Sequence, residues 1–379
     1  MFEYYVYLLR FVELSALCYL LLIAAYTFGW VKIRKIAFPV EKTSTSITII
    51  VALRNEAATV VTLMKHLANQ QKMSFDVEII LIDDHSEDET ISLITSQLPY
   101  YPDTNFKLIQ AEKKGKKEAI VQALKMASGQ LVLVTDADCR PGPLWAATMT
   151  STYETTQAKL LLGPVQIETN NRLFEKFQAL EFISLMGSTA GSAAISWPSM
   201  ANGANMAFEK QAFFTVEKLR SDASLASGDD VFLMTAIKQH FGSKAIQFVA
   251  AETAIIPTLA SPDLKSFLHQ RTRWVSKSSG YTQASILVPA WIVLIFNLLL
   301  VIISIISIFI PWMLLIAMLF FSLKALIDLP LLHSVTTFMR QRHLLKYFIP
   351  LAIVYPFYVV IVSVAGVFGV VHWKGRKVH

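Results

Sequence analysis

Residues 77–86 read VEIILIDDHS and residues 130–139 read QLVLVTDADC. Each is a short apolar run, rich in β-branched residues, that stops at a pair of acids: Asp83 with Asp84, and Asp136 with Asp138. A continuous apolar run of this length fits a strand buried on both faces. SITIIVAL at 46–53 repeats the pattern, and Phe106 to Ile109 gives a further strand. Between the strands, Asn55 to Gln70 carries Val60, Leu63, Met64 and Leu67 at helical spacing, and Glu118 to Ser128 reads as another helix. This alternation predicts an α/β domain, a mostly parallel sheet with helices on both faces. Open sheets of this kind bind ligands outside the carboxyl ends of their strands. Both acidic pairs fall there.

Outside this region the chain is apolar. Of its 379 residues 54% are hydrophobic and only 16% charged, against about 25% charged in ordinary soluble domains. The net charge of +6 is not gathered into long basic runs, which argues against a nucleic-acid partner. Several Lys and Arg instead flank apolar segments, as an anionic membrane surface would favour. Cys18 and Cys139 lie in surroundings too different for a disulfide, and no Cys/His spacing of a metal site occurs.

Phe11 to Trp30 is apolar apart from Glu13 and is followed by Lys32, Arg34 and Lys35. About 20 residues suffice to cross a bilayer. Charge behind the segment rather than before it favours a retained anchor over a cleaved signal peptide, and places residue 31 onward in the cytoplasm. No charge occurs from Ile286 to Leu323, and Pro311-Trp312 divides that stretch into spans at 286–310 and 312–333. Lys324 and Asp328, four apart on one helical face, are expected to pair. Phe348 to His372 gives a fourth span, preceded by Arg340, Arg342 and Lys346. Four spans put the tail on the side of the N-terminus, whereas Lys374, Arg376 and Lys377 favour the opposite side. The expected organisation is an anchor with a basic flank at 1–43, a cytoplasmic domain at 44–285, and about three helices at 286–379.

Four signals recur in order through the middle of the chain: IDDHS at 82–86, TDADC at 135–139, SGDD at 227–230 and QRTRW at 270–274. Asp83 or Asp84 suits a nucleobase N–H or a ribose hydroxyl; the bland alternative is a helix cap by Ser86 or Asp88. Asp136 and Asp138 can hold Mg²⁺ or Mn²⁺ against a diphosphate, and Lys116 in KKGKKEA offers a positive charge to the same phosphates. An acidic turn and a solvated basic face are the alternatives. Asp229 and Asp230 open a helix, where they suit either a dipole or removal of a proton from an attacking hydroxyl. Gln270, Arg273 and Trp274 share one helical face, suited to gripping a pyrophosphate and stacking a sugar. The alternative places Arg271, Arg273 and Lys277 among lipid headgroups.

With ALRNE at 52–56, IDDHSEDET at 82–90, GKKEAI at 115–120, TDAD, NGANMAF at 202–208, GDD and QRTRW in this order, the chain resembles a family 2 glycosyltransferase of the GT-A fold. That group includes cellulose, chitin and hyaluronan synthases and ceramide glucosyltransferase, and the resemblance covers about residues 46–280. It implies that Asp84, with Asp83, binds the base and ribose of a nucleotide-diphosphate sugar, expected to be a UDP-sugar. It makes Asp136 and Asp138 the diphosphate and metal pair, Asp230 the catalytic base beside Asp229, and Arg273 a diphosphate ligand. Trp274 with Gln270, and Asn202, Gly203 and Asn205, would lie at the acceptor. Members of this type invert the anomeric centre in one displacement. Four spans are few for a polysaccharide channel, which favours a lipid or short glycan acceptor at the inner or plasma membrane. A processive polysaccharide synthase is the competing expectation, and a non-catalytic transport or scaffold protein a remote one.

Overall fold

The apolar runs that stop at acidic pairs become neighbouring strands in the computed structural model, which describes residues 2–33, 43–71, 77–170, 172–217, 229–368, 371–373 and 376–378. A first helix, α1 (Phe2–Lys32), precedes them. Then β1 (Ile47–Leu53), β2 (Glu78–Asp83), β3 (Asn105–Gln110) and β4 (Leu131–Thr135) pair in parallel in the order β3-β2-β1-β4. Leu53 lies opposite Asp83, so β1 and β2 end level. Ile49, Ile50, Val51, Ile80 and Leu133 are fully buried, each worth about 1.5–3 kcal/mol on leaving water. The crossovers are α2 (Val60–Ala68), α3 (Thr90–Gln97) and α4 (Lys116–Met126).

The helix expected from residue 55 begins only at Val60. Asn55 is left-handed at φ 53°, and its N–H donates to Ser86 Oγ at 2.9 Å. Those positions are therefore spent on fixing the loop after β2. At the other end of β2, Glu78 takes hydrogen bonds from Thr48 Oγ1 (2.5 Å), Lys107 Nζ (2.6 Å) and the Ser128 N–H (2.7 Å). Burial alone would raise its pKa, but these donors outweigh that and hold it at about 2.

Beyond β4 the sheet becomes mixed through α5 (Trp145–Thr156), β5 (Leu160–Leu162) and β6 (Val165–Ile167). The long helix α6 (Leu173–Ala194) follows in the chain, and β7 (Asn205–Glu209) runs antiparallel between β4 and β5. α7 (Lys210–Val216) and α8 (Asp229–Phe241) lead to β8 (Ile246–Phe248), which closes the seven-stranded sheet parallel to β5. β9 (Ile256–Thr258) pairs with β6 in a separate ladder. Three-residue strands of this kind leave too short a periodic pattern to read from sequence.

Contacts divide the chain into two interleaved units: 33–168 with 200–260, which holds the sheet, and 1–32 with 169–199 and 261–379. The second contains α1, α6, α9 (Leu264–Ser276), α10 (Ala284–Phe309), α11 (Trp312–Phe338) and α12 (Phe348–Phe368). Residues 371–373 are already extended, so the last helix stops short of His372. Among the described residues four segments are long and apolar enough to cross a membrane: 6–32, α10, α11 and 342–367.

Within this unit Val12, Ala16, Tyr19, Phe296, Leu300 and Ile303 form one buried cluster. Lys324 Nζ donates to Asp328 Oδ2 at 2.5 Å, as the spacing predicts, and the Tyr19 hydroxyl donates to Asp328 Oδ1 at 2.8 Å. The ion pair thereby ties α11 to α1. Residues 187–191 of α6 read GSTAG. Gly191 lies so close to Tyr26 and Gly29 of α1 that any Cβ there would strike the Tyr26 carbonyl. Small residues spaced four apart allow this approach.

Candidate active site

Asp83 is the last residue of β2. Its Oδ2 accepts the Ser86 N–H and Gln110 Nε2, each at 3.0 Å, while its buried Oδ1 has no hydrogen-bond partner among the described residues. Asp84 Oδ1 accepts the Gly115 N–H at 2.8 Å and lies 3.4 Å from His85 Nδ1. The buried Arg54 guanidinium donates to the carbonyls of Asp84 and His85 at 2.9 and 3.1 Å, which fixes this loop. The local turn at the start of α3 is supplied by Asp88, whose Oδ1 accepts both the N–H and the hydroxyl of Thr90. Asp83 and Asp84 are thus not spent on capping.

Gly115 adopts φ 121°, a conformation that favours glycine and turns its N–H toward Asp84. The next residue, Lys116, donates from Nζ to Asp136 Oδ1. Two consecutive residues therefore join the acids beyond β2 to those beyond β4. Asp138 Oδ2 accepts the Thr258 hydroxyl at 3.1 Å. Burial, and then the charge of Asp136, raise the Asp138 pKa. Cys139 is buried and free, as is Cys18 free, so no disulfide links them.

Among the described residues no three His, Cys, Asp or Glu side chains gather as a self-contained metal cage. The donor set still fits Mg²⁺ or Mn²⁺. Such ions are commonly held by one or two carboxylates and complete their shell with substrate phosphates and water. The crowded charge of Asp136 and Asp138 is what a cation relieves.

Asp230 stands in the first turn of α8, as expected. Ser227, Gly228 and the Asp229 side chain lie outside the described residues. Asp230 Oδ2 accepts the Gly203 N–H at 3.1 Å. Asn202 Oδ1 takes the Ala204 N–H, and the Ala204 carbonyl accepts the Thr135 hydroxyl at 2.9 Å. The 202–204 turn is thereby held between the end of β4 and Asp230. Asn205 corrects the expectation of an acceptor contact. It is fully buried, accepting from Trp145 Nε1 and donating to the carbonyls of Pro164 and Ala254. Its hydrogen bonds lock the start of β7.

In the helical unit, Asp263 caps α9 by accepting the Ser266 N–H. Gln270 Oε1 accepts Arg271 Nη1 at 2.6 Å. Trp274 is half-buried, 6.2 Å from the Phe182 ring, with the Arg271 guanidinium 4.2 Å from its centroid. Arg273 is likewise half-buried.

Arg271 is the residue that sequence reasoning missed. It does not face headgroups but is 3% exposed and paired with Glu181, itself 3% exposed. The contacts are Nε to Oε1 at 3.2 Å and Nη2 to Oε2 at 2.7 Å, and the Tyr358 hydroxyl adds a donor to Oε1 at 3.1 Å. Burial alone would lower the Arg271 pKa; the Glu181 charge outweighs it and raises it. The available signal was Glu181 itself, a lone carboxylate in ALEFISLM.

Comparison with known proteins bears on the family and the fold. Residues 131–370, well over half of the chain, match the family described as Glycosyl transferase family group 2, and residues 48–213 match Glycosyl transferase family 2. A dolichyl-phosphate beta-glucosyltransferase of Dictyostelium discoideum is 34% identical over 71 residues, 18% of this chain and 22% of that protein. A beta-monoglucosyldiacylglycerol synthase of a Nostoc species is 30% identical over 95 residues, 25% of this chain and 20% of that one. Each match spans about a fifth of the relative's length. The mannosyltransferase of Pyrobaculum calidifontis, solved with GDP-Man and Mn²⁺, shares the fold with a TM-score of 0.58 at 17% identity, over 92% of this chain and 99% of that one. The chain belongs to the family 2 glycosyltransferases and has the GT-A fold.

Proposed function

We propose that this glycosyltransferase moves a sugar from a UDP-sugar to a membrane-held acceptor, a lipid or short glycan, with inversion. The observation that carries the reading is the link through Gly115 and Lys116, which joins a nucleotide grip at Asp84 to a diphosphate seat at Asp136. The unpartnered Asp83 Oδ1 suits the ring N–H of uracil. Lys116 bears on the diphosphate. Asp136 and Asp138 would hold Mg²⁺ or Mn²⁺, which when bound neutralises charge growing on the departing diphosphate.

Asp230 takes the proton of the acceptor hydroxyl. As the acceptor oxygen bonds to the anomeric carbon, the bond to the diphosphate breaks and UDP leaves with that electron pair. Asn202 with Gly203 orient Asp230. The lipid class is supported by the two relatives, a dolichyl-phosphate glucosyltransferase and a monoglucosyldiacylglycerol synthase, and by helices long enough for a bilayer. The catalytic residues would face the cytoplasm from the inner or plasma membrane.

The test incubates membranes holding the full chain with labelled nucleotide sugars and Mg²⁺ or Mn²⁺. A short, organic-soluble product is expected, and a long polymer would overturn single transfer in favour of a processive synthase. Asp230→Asn should keep the donor bound while transfer falls about 10²–10⁴-fold. Undiminished transfer would remove Asp230 as the base.

A further inference from the structure

The short ladder of β6 with β9 adds no strand to the main sheet, yet it is fastened to the loop beyond β4 at three points. The Arg140 N–H donates to the Pro257 carbonyl at 2.9 Å, and Arg140 Nη1 donates to Glu168 Oε2 at 2.7 Å. The Thr258 hydroxyl donates to Asp138 Oδ2 at 3.1 Å. Within the ladder Thr258 lies opposite Ile167, and its carbonyl accepts the Glu168 N–H at 2.9 Å. Main-chain bonds at Pro257 and Thr258 thus fix the strand whose hydroxyl reaches an acid 120 positions away. The other oxygen of that acid, Asp138 Oδ1, has the Cys139 thiol at 3.9 Å, a weak donor.

We infer, on the reading of Asp136 and Asp138 as the metal pair, that Thr258 is a positioning residue for the cation. Its hydroxyl sets the rotation of the Asp138 carboxylate and leaves the other oxygen to the ion. The last torsion of an aspartate is broad, so a carboxylate without such a bond is spread over many orientations. An octahedral ion needs its oxygens at fixed places, and every misplaced orientation subtracts from affinity. Removing a hydrogen bond to a metal-binding carboxylate accordingly costs about 10–100-fold in affinity. A neutral donor suits this task better than a lysine would, because it orients the carboxylate without cancelling the charge that holds the ion. Asp136 already has a lysine, Lys116, as its countercharge.

The test titrates Mn²⁺ into the purified full chain in mild detergent with UDP present, and reads free Mn²⁺ by its electron paramagnetic resonance signal. Thr258→Val keeps the shape of the side chain and removes the hydroxyl. It should weaken Mn²⁺ binding about 10–100-fold, and Thr258→Ser, which returns the hydroxyl, should restore most of it. Ile167→Val trims the residue opposite Thr258 in the ladder and leaves the hydroxyl in place, so it should bind Mn²⁺ as the wild type does. Melting curves with chelator establish that each variant is folded. Wild-type affinity in Thr258→Val would overturn the positioning role. Equal weakening in Thr258→Val and Ile167→Val would also overturn it, because the firmness of the ladder and not the hydroxyl would then be what matters. Asp138→Asn separates this role from the reading beneath it. If Asp138→Asn loses Mn²⁺ while Thr258→Val keeps it, the positioning role falls and the metal pair stands. If Asp138→Asn binds Mn²⁺ as the wild type does, the metal pair falls and the role of Thr258 with it.

Discussion

Glu181→Leu should unfold the helical unit at a markedly lower temperature, and a second substitution at Arg271 should reverse much of the loss. Both charged side chains are 3% exposed and meet through two N–H···O contacts at 3.2 and 2.7 Å. Removing the acid strands a guanidinium away from water, and breaking such a buried pair costs about 3–5 kcal/mol. The Tyr358 hydroxyl also loses its acceptor, which adds about 1 kcal/mol. Three rings surround the guanidinium, Trp274 at 4.2 Å, Phe267 at 4.7 Å and Phe182 at 5.7 Å. Their faces recover about 1 kcal/mol. The net loss is therefore about 3–5 kcal/mol, or a fall in Tm of roughly 6–10 °C at about 2 °C per kcal/mol.

Glu181→Leu/Arg271→Met removes both charges and fills the space with apolar atoms, an exchange that is often neutral or stabilising. Thermal unfolding of the full chain in detergent, measured on the wild type, both single variants and the double, gives the coupling energy. A coupling of about 3 kcal/mol is expected. If the two losses simply add, the pair is not the fastening that the geometry implies, and the reasoning fails.

Glu78 should make stability depend on acid. With its carboxyl held at about 2 instead of 4.5, it contributes roughly 3 kcal/mol above pH 4.5. That contribution is lost as pH falls from about 4.5 toward 2, so Glu78→Gln should show a flatter Tm against pH over this window. Gly191→Ala should destabilise by about 1–3 kcal/mol or more, because the Tyr26 backbone blocks the new methyl. Gly187→Ala has side-chain atoms of Val335 and Leu331 as its nearest neighbours, at 3.0–3.3 Å, and should be milder; the two melting temperatures compared decide this.

What the sequence made legible was whatever one element displays by itself. β1, β2 and β4 each announce a buried strand through an apolar run, and the acids at their ends stand where ligands of such sheets bind. The Lys324–Asp328 pair was readable because both partners sit on one helix, four residues apart. The Arg271–Glu181 pair was not, since its members are 90 positions apart and nothing in a single sequence matches a lone acid to a distant base. Asn205 misled for a related reason. Its place in NGANMAF suggested an acceptor contact, whereas the partners that consume its amide are Trp145, Pro164 and Ala254, spread over three other segments. Patterns local to a helix or strand survive in sequence, and packing between distant segments does not.

In the proposed site, the acids beyond β4 would set binding against stability. Asp136 has Lys116 as a countercharge, while Asp138 has the Thr258 hydroxyl, a neutral donor. Burial and the neighbouring Asp136 charge raise the Asp138 pKa, so above that raised value its ionised form costs folding free energy. Asp138→Asn keeps the Thr258 contact through its amide oxygen and removes the charge. In the presence of a chelator this variant should melt higher than the wild type. The same variant should bind a nucleotide sugar with Mn²⁺ more weakly, because a hard carboxylate ligand is gone. Melting curves with chelator and donor titrations with Mn²⁺ give the two readouts separately. A lower Tm in the chelated variant would mean that Asp138 is held by attractions stronger than its burial and its neighbour's repulsion, and would remove the argument that this pair is arranged for a cation.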